Sequence, residues 1–173
     1  AKIARDYPIR IIESGPAAGV LMGGIVGKNI GERHVITFDM GGTTAKLGAV
    51  DDGIPAITPT FEVGHIRYKK GSGLPINVPA VELLEIGAGG GSIAKIEFGM
   101  IAIGPESAGA DPGPICYGKG GTQPTITDAN VVLGYISGDW FNAGEMQLNI
   151  EAARAGIREN IAKPLGLTLE QAA

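Results

Sequence analysis

The sequence of 173 residues, with 44% apolar residues and a net charge of −4, can form one domain with a sizeable core and lacks the basic runs typical of nucleic-acid binding. None of its apolar runs reaches the roughly 18–20 residues that a membrane span requires. Its single cysteine, Cys116, excludes an internal disulfide and suits a reducing cytoplasm.

The first predicted elements are a strand and a helix. Residues 9–15 have the apolar run of a short buried strand, and a helix is predicted over 16–29. Three glycines of this helix are four residues apart and therefore share one face: Gly19, Gly23 and Gly27. This spacing predicts close packing of that face on a sheet. The alternative is that a ligand approaches the bared backbone.

Two further predicted strands, 34–38 and 44–50, flank the hexapeptide Asp-Met-Gly-Gly-Thr-Thr at 39–44. Consecutive glycines let a phosphate approach backbone N–H groups, and threonine hydroxyls add donors. An adjacent carboxylate suits the water shell of Mg²⁺. The hexapeptide therefore has the composition of a phosphate-and-magnesium hairpin. A tight turn, which needs only Asp and one Gly, explains it equally well.

The middle of the chain is predicted to contain short strands separated by glycine turns. A turn at 51–55 precedes a predicted strand over 58–69, and residues 78–104 indicate short strands around two glycine turns. The glycine-rich stretch 87–92 is interpreted as a loop that faces substrate or nucleotide, or else as a strained bend. Residues 105–124 have no periodicity, which is typical of a functional or mobile segment.

The last part of the chain is predicted to be helical. One helix starts near residue 127, where Thr127 or Asp128 can cap it, and metal or substrate contact is the alternative role of Asp128. Another starts at the cap Asn149 and stops at Pro164. The apolar face of this second helix is predicted to comprise Ile150, Ala153, Ile157 and Ile161. Strands that alternate with helices predict an α/β or α+β domain.

Several single side chains also carry potential chemistry. Lys46 could offer a cation to a phosphate or lie solvated on its strand, and Glu13 could orient an attacking water or cap the next helix. Cys116 is more typical of packing than of a nucleophile. A metal site built from His34, His65 and carboxylates has no diagnostic ligand spacing.

Five sequence blocks between residues 14 and 134 resemble the hydantoinase A/5-oxoprolinase family of the actin-like ATPase superfamily. They are SGPAAGV, FDMGGTTAK, IGAGGGSIA, GPESAGADPGPICYGKGG and TDANVVLG, in that order. The resemblance implies a ribonuclease-H-like (actin-like ATPase) α/β lobe with extra short strands and Gly-rich loops. It also implies ATP and Mg²⁺ as cofactors. The implied activity is ATP-dependent hydrolysis of a cyclic amide of the hydantoin or 5-oxoproline type. The alternatives are a subunit of an ATP-dependent ketone carboxylase and a non-catalytic partner-binding module.

The composition of these segments, together with the resemblance, gives expected roles for individual residues. Asp39 and Glu13 are expected to be catalytic, and Asp39 is also expected to hold Mg²⁺ through water. The nucleotide contacts are expected to come from two glycine-containing segments and one cation: Gly41, Gly42, Thr43, Thr44, Lys46, Gly89, Gly90 and Gly91.

Members of this family are longer, with an earlier D-x-G-G-T hairpin and a later adenosine-binding Gly-Gly turn. Residues 1–173 are therefore expected to be an incomplete second lobe. Its parts would be a connecting segment at 13–30, a phosphate hairpin at 35–50, a Gly-rich β region at 57–125 and a helical end at 127–173. The expected partners are a small cyclic amide or ketone and a second (B-type) subunit or domain, without nucleic acid or membrane. The isolated chain is expected to bind MgATP weakly or not at all, and to cleave no lactam.

Overall fold

The computed structural model describes residues 2–64 and 71–173, which form a mixed α/β fold. The chain divides into two compact units. The first comprises residues 1–39 and 45–86, and the second comprises residues 40–44 and 87–173.

The helices are α1 (Lys2–Asp6), α2 (Ser14–Ile30), α3 (Ile126–Val132), α4 (Ile150–Ile157), α5 (Lys163–Leu165) and α6 (Leu169–Ala172). The strands are β1 (His34–Met40), β2 (Ala45–Asp51), β3 (Ile54–Pro55), β4 (Ile57–Thr58), β5 (Phe61–Val63), β6 (Leu74–Ile76), β7 (Ala80–Val81), β8 (Leu83–Ile86), β9 (Ser92–Glu97) and β10 (Met100–Ser107). None of the helices in the described part of the chain combines the length and apolar character that a membrane span needs.

The first unit is built on a four-stranded sheet that α2 covers on one side. The strand order is β1-β2-β3, and β8 pairs antiparallel with the first half of β2. Gly23 and Gly27 of α2 lie against Val35 of β1, and a methyl group at Gly27 would lie only 2.5 Å from the Val35 side chain. The predicted packing of this helix face is therefore confirmed at these two positions. Gly19 differs, because an added methyl group there would meet nothing within 4 Å.

Residues 9–15 are a correction to the sequence prediction, because they do not form a buried strand. Pro8–Ile11 is an exposed 3-10 turn, and α2 begins at Ser14. A short apolar run does not by itself distinguish a strand from other structure. The predicted strand over 58–69 is present at Phe61–Val63, and residues 65–69 of that prediction lie outside the described residues.

The second unit combines the antiparallel β9–β10 hairpin with the C-terminal helices. Asn149 caps α4 by accepting a hydrogen bond from the Ala152 amide, as predicted. The predicted stop at Pro164 is wrong. A π-helical turn at Arg158–Ala162 precedes Pro164, which therefore stands in the first turn of α5, where a missing N–H is tolerated. The chain leaves the helix at Gly166, which has a φ of 67°.

Two apolar clusters stabilise the second unit. One contains buried residues from the segment before α3, from α3 itself, from the segment before α4 and from α4: Cys116, Val131, Leu148 and Ala153. The other is formed by the end of α4 and the elements after it: Ile157, Ile161, Ala162 and Ala172. The predicted apolar face of the last helix is confirmed, because Ala153, Ile157 and Ile161 are all buried.

Candidate functional site

The turn between β1 and β2 is held through its carbonyl groups. The N–H of Gly41 donates to the carbonyl of Thr44 at 2.8 Å and closes the turn. The carbonyls of Gly41 and Gly42 accept hydrogen bonds from the N–H groups of Gly90 (2.9 Å) and Gly91 (2.7 Å). The acceptor side of the turn is therefore occupied by backbone from the glycine-rich loop.

The donor side of the same turn is open. Gly42 and Thr43 are exposed, and their N–H groups have no hydrogen-bond partner within residues 2–64 and 71–173. An added methyl group at Gly42 would meet nothing within 4 Å, and one at Gly41 would lie 3.4 Å from the Thr44 carbonyl oxygen. Neither glycine has a positive φ. The fold thus does not require glycine at position 42, whereas an approaching anion benefits from it.

The backbone of the loop 87–92 packs directly against the backbone of the turn. A methyl group at Gly89 would lie 2.6 Å from the backbone N and C atoms of Thr43, so only glycine allows this approach. The Gly89 N–H donates to the buried Ser92 hydroxyl at 2.8 Å. Because the Gly90 and Gly91 N–H groups donate to the turn, all three predicted loop donors are engaged within the protein. Nucleotide binding by this loop stays a prediction, and the contacts observed here are those of a support for the turn.

The first turn of α3 holds the glycine loop in place. The N–H and the hydroxyl of Thr127 both donate to the carbonyl of Gly90, each at 2.8 Å. The helix cap is Thr125, which forms a capping box with Asp128. The predicted capping role of Asp128 is therefore confirmed, and that of Thr127 is wrong. The Thr-x-x-Asp spacing at 125–128 was the signal that could have identified the cap.

Asp128 also orders the Gly/Pro-rich segment before α3. Its buried carboxylate accepts hydrogen bonds from the N–H groups of Cys116 (2.7 Å), Ile115 (3.2 Å) and Thr125 (2.9 Å). Burial, followed by the nearby Asp128 charge, raises the pKa of the Cys116 thiol far above its usual range. A fully buried thiol that stays protonated is unsuited to nucleophilic attack, so the interpretation of Cys116 as a packing residue is confirmed.

Lys46 of the first unit forms a charged cluster with two glutamates. Its ammonium group lies 3.0 Å from Glu85 and 3.5 Å from Glu13, and its side chain is 17% exposed. Burial lowers the pKa of Lys46, but the hydrogen bond to Glu85 and the two carboxylate charges outweigh it, so the pKa is raised overall. Lys46 is thus not a solvated surface lysine, and its predicted phosphate contact stays a prediction.

Glu13 takes the N-cap position of α2 with a left-handed φ of 59°, but its side chain makes no capping hydrogen bond. Both Glu13 and Lys46 line a cleft of about 480 Å³, to which β1, β2, β4, β5, β7 and β8 also contribute residues. The proposed role of Glu13 in orienting water is not tested by this placement.

The remaining candidates are Asp39 and the two histidines. Asp39 is exposed, and its carboxylate has no hydrogen-bond or ion-pair partner in the described part of the chain. His34 is 2.6 Å from the carboxylate of Asp51 at the surface, and His65 lies outside the described residues. No group of three or more His, Cys, Asp or Glu side chains among the described residues could hold a metal ion.

Comparisons with known proteins agree with the five sequence blocks. Residues 1–173 match the profile of the family described as Hydantoinase/oxoprolinase. The chain is 42% identical over 172 residues to the caprolactamase subunit alpha of Pseudomonas jessenii. It is 40% identical over 176 residues to the acetophenone carboxylase gamma subunit of Aromatoleum aromaticum.

These similarities cover the whole chain but only part of each relative. The alignments include 99% and 100% of this chain, and 24% and 23% of the two relatives, so the chain spans about a quarter of their length. The crystal structure of the ATP-dependent caprolactamase from Pseudomonas jessenii matches 92% of this chain with a TM-score of 0.69 and 41% identity, over 22% of its own length.

Proposed function

Because this chain belongs to the hydantoinase/oxoprolinase family, we propose that it is the part of an ATP-dependent cyclic-amide hydrolase that supplies one of the phosphate-binding turns. The observation that carries the proposal is the turn 41–44. The carbonyls of Gly41 and Gly42 accept from the glycine-rich loop, whereas Gly42 and Thr43 are exposed and their N–H groups are unpaired among the described residues. Adjacent backbone donors of this kind form an anion-binding nest.

Each proposed contact has a distinct chemical task. The Gly42 and Thr43 N–H groups would donate to phosphate oxygens, and the hydroxyls of Thr43 and Thr44 would add donors. The carboxylate of Asp39, which has no partner within the described residues, suits the hydrated Mg²⁺ that accompanies a nucleotide. Bound ATP would supply the phosphoryl group that activates an amide oxygen. The residues of the turn would position this group and neutralise its charge.

Two residues of the first unit, Lys46 and Glu13, are proposed to take part in the reaction of the full-length protein. Lys46 would offer its ammonium group to the nucleotide, and its raised pKa keeps it charged at neutral pH. Glu13 would orient the attacking water. We further propose that the mixed α/β fold is a lobe of the actin-like ATPase type, in agreement with the similarity to the caprolactamase structure.

A subunit of an ATP-dependent ketone carboxylase is the second candidate. The similarity to the acetophenone carboxylase gamma subunit, 40% identity over the entire chain, favours it. The two relatives are both described as subunits, which supports the proposal of a second, B-type subunit or domain as partner. The same phosphate turn would serve either reaction, because both would activate an oxygen atom with ATP.

The test is ATP hydrolysis by the full-length polypeptide that contains this chain, with its partner subunit present. A cyclic-amide hydrolase should be stimulated by a lactam or hydantoin, and a carboxylase by a ketone with bicarbonate. Gly42→Ala keeps the N–H group but adds a methyl group that would hinder the phosphate, so the KM for ATP should rise by roughly tenfold or more, the scale of one weakened charge-assisted hydrogen bond. Stimulation by neither substrate, together with an unchanged KM in Gly42→Ala, would contradict the proposal and favour a non-catalytic module.

A further inference from the structure

The first turn of α3 is connected to the turn 41–44 by hydrogen bonds in series. The Thr127 hydroxyl donates to the carbonyl of Gly90 at 2.8 Å, and the Gly90 N–H donates to the carbonyl of Gly41 at 2.9 Å. Thr127 is only 6% exposed, so its hydroxyl has little access to water as an alternative acceptor. The hydrogen bond from Gly90 to Gly41 therefore depends on where the bond from Thr127 places Gly90.

We infer that Thr127 is a positioning residue for the turn 41–44. Its N–H and its hydroxyl together hold the Gly90 carbonyl, the hydroxyl being the bond that a substitution can remove, and Gly90 in turn holds the carbonyl side of the turn. The part of this inference that concerns phosphate rests on the proposed function. The part that concerns the geometry of the turn does not.

Steric contact adds to the hydrogen bond. A methyl group at Gly90 would lie 2.9 Å from the Thr127 hydroxyl oxygen, so the loop has no room to move towards α3. On its other side the loop meets the turn, where a methyl group at Gly89 would lie 2.6 Å from Thr43. Because the loop is held from both sides, a change at Thr127 reaches the turn rather than being absorbed by the loop.

The experiment compares three variants of the 173-residue chain, each labelled with ¹⁵N. Thr127→Val removes the hydroxyl and keeps the shape, whereas Thr127→Ser keeps the hydroxyl. Thr125→Val is the matched control, because Thr125 is 1% exposed and its hydroxyl donates to Asp128 at 2.9 Å, not to the glycine loop. Three quantities are measured: the unfolding temperature, the hydrogen exchange of the Gly90 amide, and the Gly42 and Thr43 amide shifts with and without millimolar MgATP.

The expected result without nucleotide is specific to Thr127→Val. The Gly90 amide should exchange roughly tenfold faster and the Gly42 and Thr43 amide resonances should shift, which reflects one lost hydrogen bond. Thr127→Ser should behave as the wild type. Thr125→Val should lower the unfolding temperature without moving the turn resonances. Unchanged turn resonances in Thr127→Val, or equal changes in Thr125→Val, would overturn the inference.

Titration with MgATP then separates this inference from the proposed function. If the Gly42 and Thr43 amides of the wild type respond to MgATP, their apparent affinity should fall roughly fivefold in Thr127→Val. If no turn amide of the wild type responds, which is one of the outcomes expected of the isolated chain, the phosphate role of the turn is decided by the KM for ATP of Gly42→Ala in the full-length polypeptide. The exchange and shift data without nucleotide still decide whether Thr127 positions the turn.

Discussion

The two glycine-rich segments of this chain use glycine for opposite reasons. At Gly89 and Gly91 an added methyl group would meet the backbone of residues 42 and 43 at 2.6–3.0 Å, so the fold itself demands glycine there. At Gly42 an added methyl group would meet nothing within 4 Å, and the residue does not have a positive φ. The same amino acid therefore serves packing in the loop and leaves space in the turn.

This difference indicates where a ligand can bind. A segment whose N–H groups all donate within the protein has no backbone donors left for a phosphate, and this describes the loop at 89–91. The turn has unpaired N–H donors at Gly42 and Thr43 and open space beside Gly42, and an anion requires both. The comparison thus separates a supporting element from a candidate binding element, although their sequences look alike.

The largest predicted effect on stability concerns Gly89, in the tightly packed glycine-rich loop. Gly89→Ala places a methyl group against the Thr43 backbone, and backbone atoms cannot move aside as a flexible side chain can. We expect a loss of about 3 kcal/mol in the free energy of unfolding, typical of severe overpacking. Urea unfolding measures it. A loss below that of an ordinary surface substitution would show that the loop does not pack tightly on the turn.

The sequence predicted the positions of these two segments better than their roles. The β1–β2 hairpin and the glycine spacing of α2 follow from local pattern, because strand alternation and the helical period are properties of neighbouring residues. The contact between residues 41–43 and 89–91 joins segments almost fifty residues apart, and no local pattern encodes it. Composition alone therefore assigned both segments to the nucleotide.

The network around α3 shows a similar limit. The capping box at 125–128 was readable from sequence, whereas the bond from Thr127 to Gly90 depends on how α3 lies beside the loop. The prediction of a strand at 9–15 failed for a different reason, since three isoleucines without a partner strand do not define a strand.

The stability of the second unit, which contains Cys116, is also predicted to change at alkaline pH. Because the pKa of the buried Cys116 thiol is raised, the folded chain keeps a proton that the unfolded chain releases above its ordinary pKa of about 8.5. Stability should therefore be unaffected by this group below that pH, and should fall above it by up to about 1.4 kcal/mol per pH unit. Urea unfolding between pH 7.5 and about 9.5 measures this slope. Cys116→Ala should have a shallower slope, and equal slopes would contradict the assignment.

A smaller effect is expected where the loop meets a side chain rather than backbone. Gly90→Ala brings a methyl group to 2.9 Å from the Thr127 hydroxyl oxygen, and its next contact, the Gly41 carbonyl, is at 3.7 Å. We expect a loss of about 1–2 kcal/mol. Thr127→Ala removes the crowding atom, so the double variant should be more stable than the sum of the two single changes predicts. Simple additivity in urea unfolding would show that the two residues do not press on each other.

The smallest predicted effect on stability is that of Gly42→Ala, and it tests whether the turn glycine differs from the packed loop glycines. Gly42→Ala adds a methyl group in open space, so the free energy of unfolding should change by no more than about 0.5–1 kcal/mol, and a small gain is compatible with a stiffer unfolded chain. The same methyl group would lie beside the exposed donors of Gly42 and Thr43 and hinder an approaching phosphate. Gly19→Ala is the matched control, because an added methyl group there also meets nothing within 4 Å but lies on α2. The amide responses to MgATP should weaken in Gly42→Ala and persist in Gly19→Ala. A turn that lost stability without losing its nucleotide response would place Gly42 with the packed glycines, and the distinction between the two segments would fail.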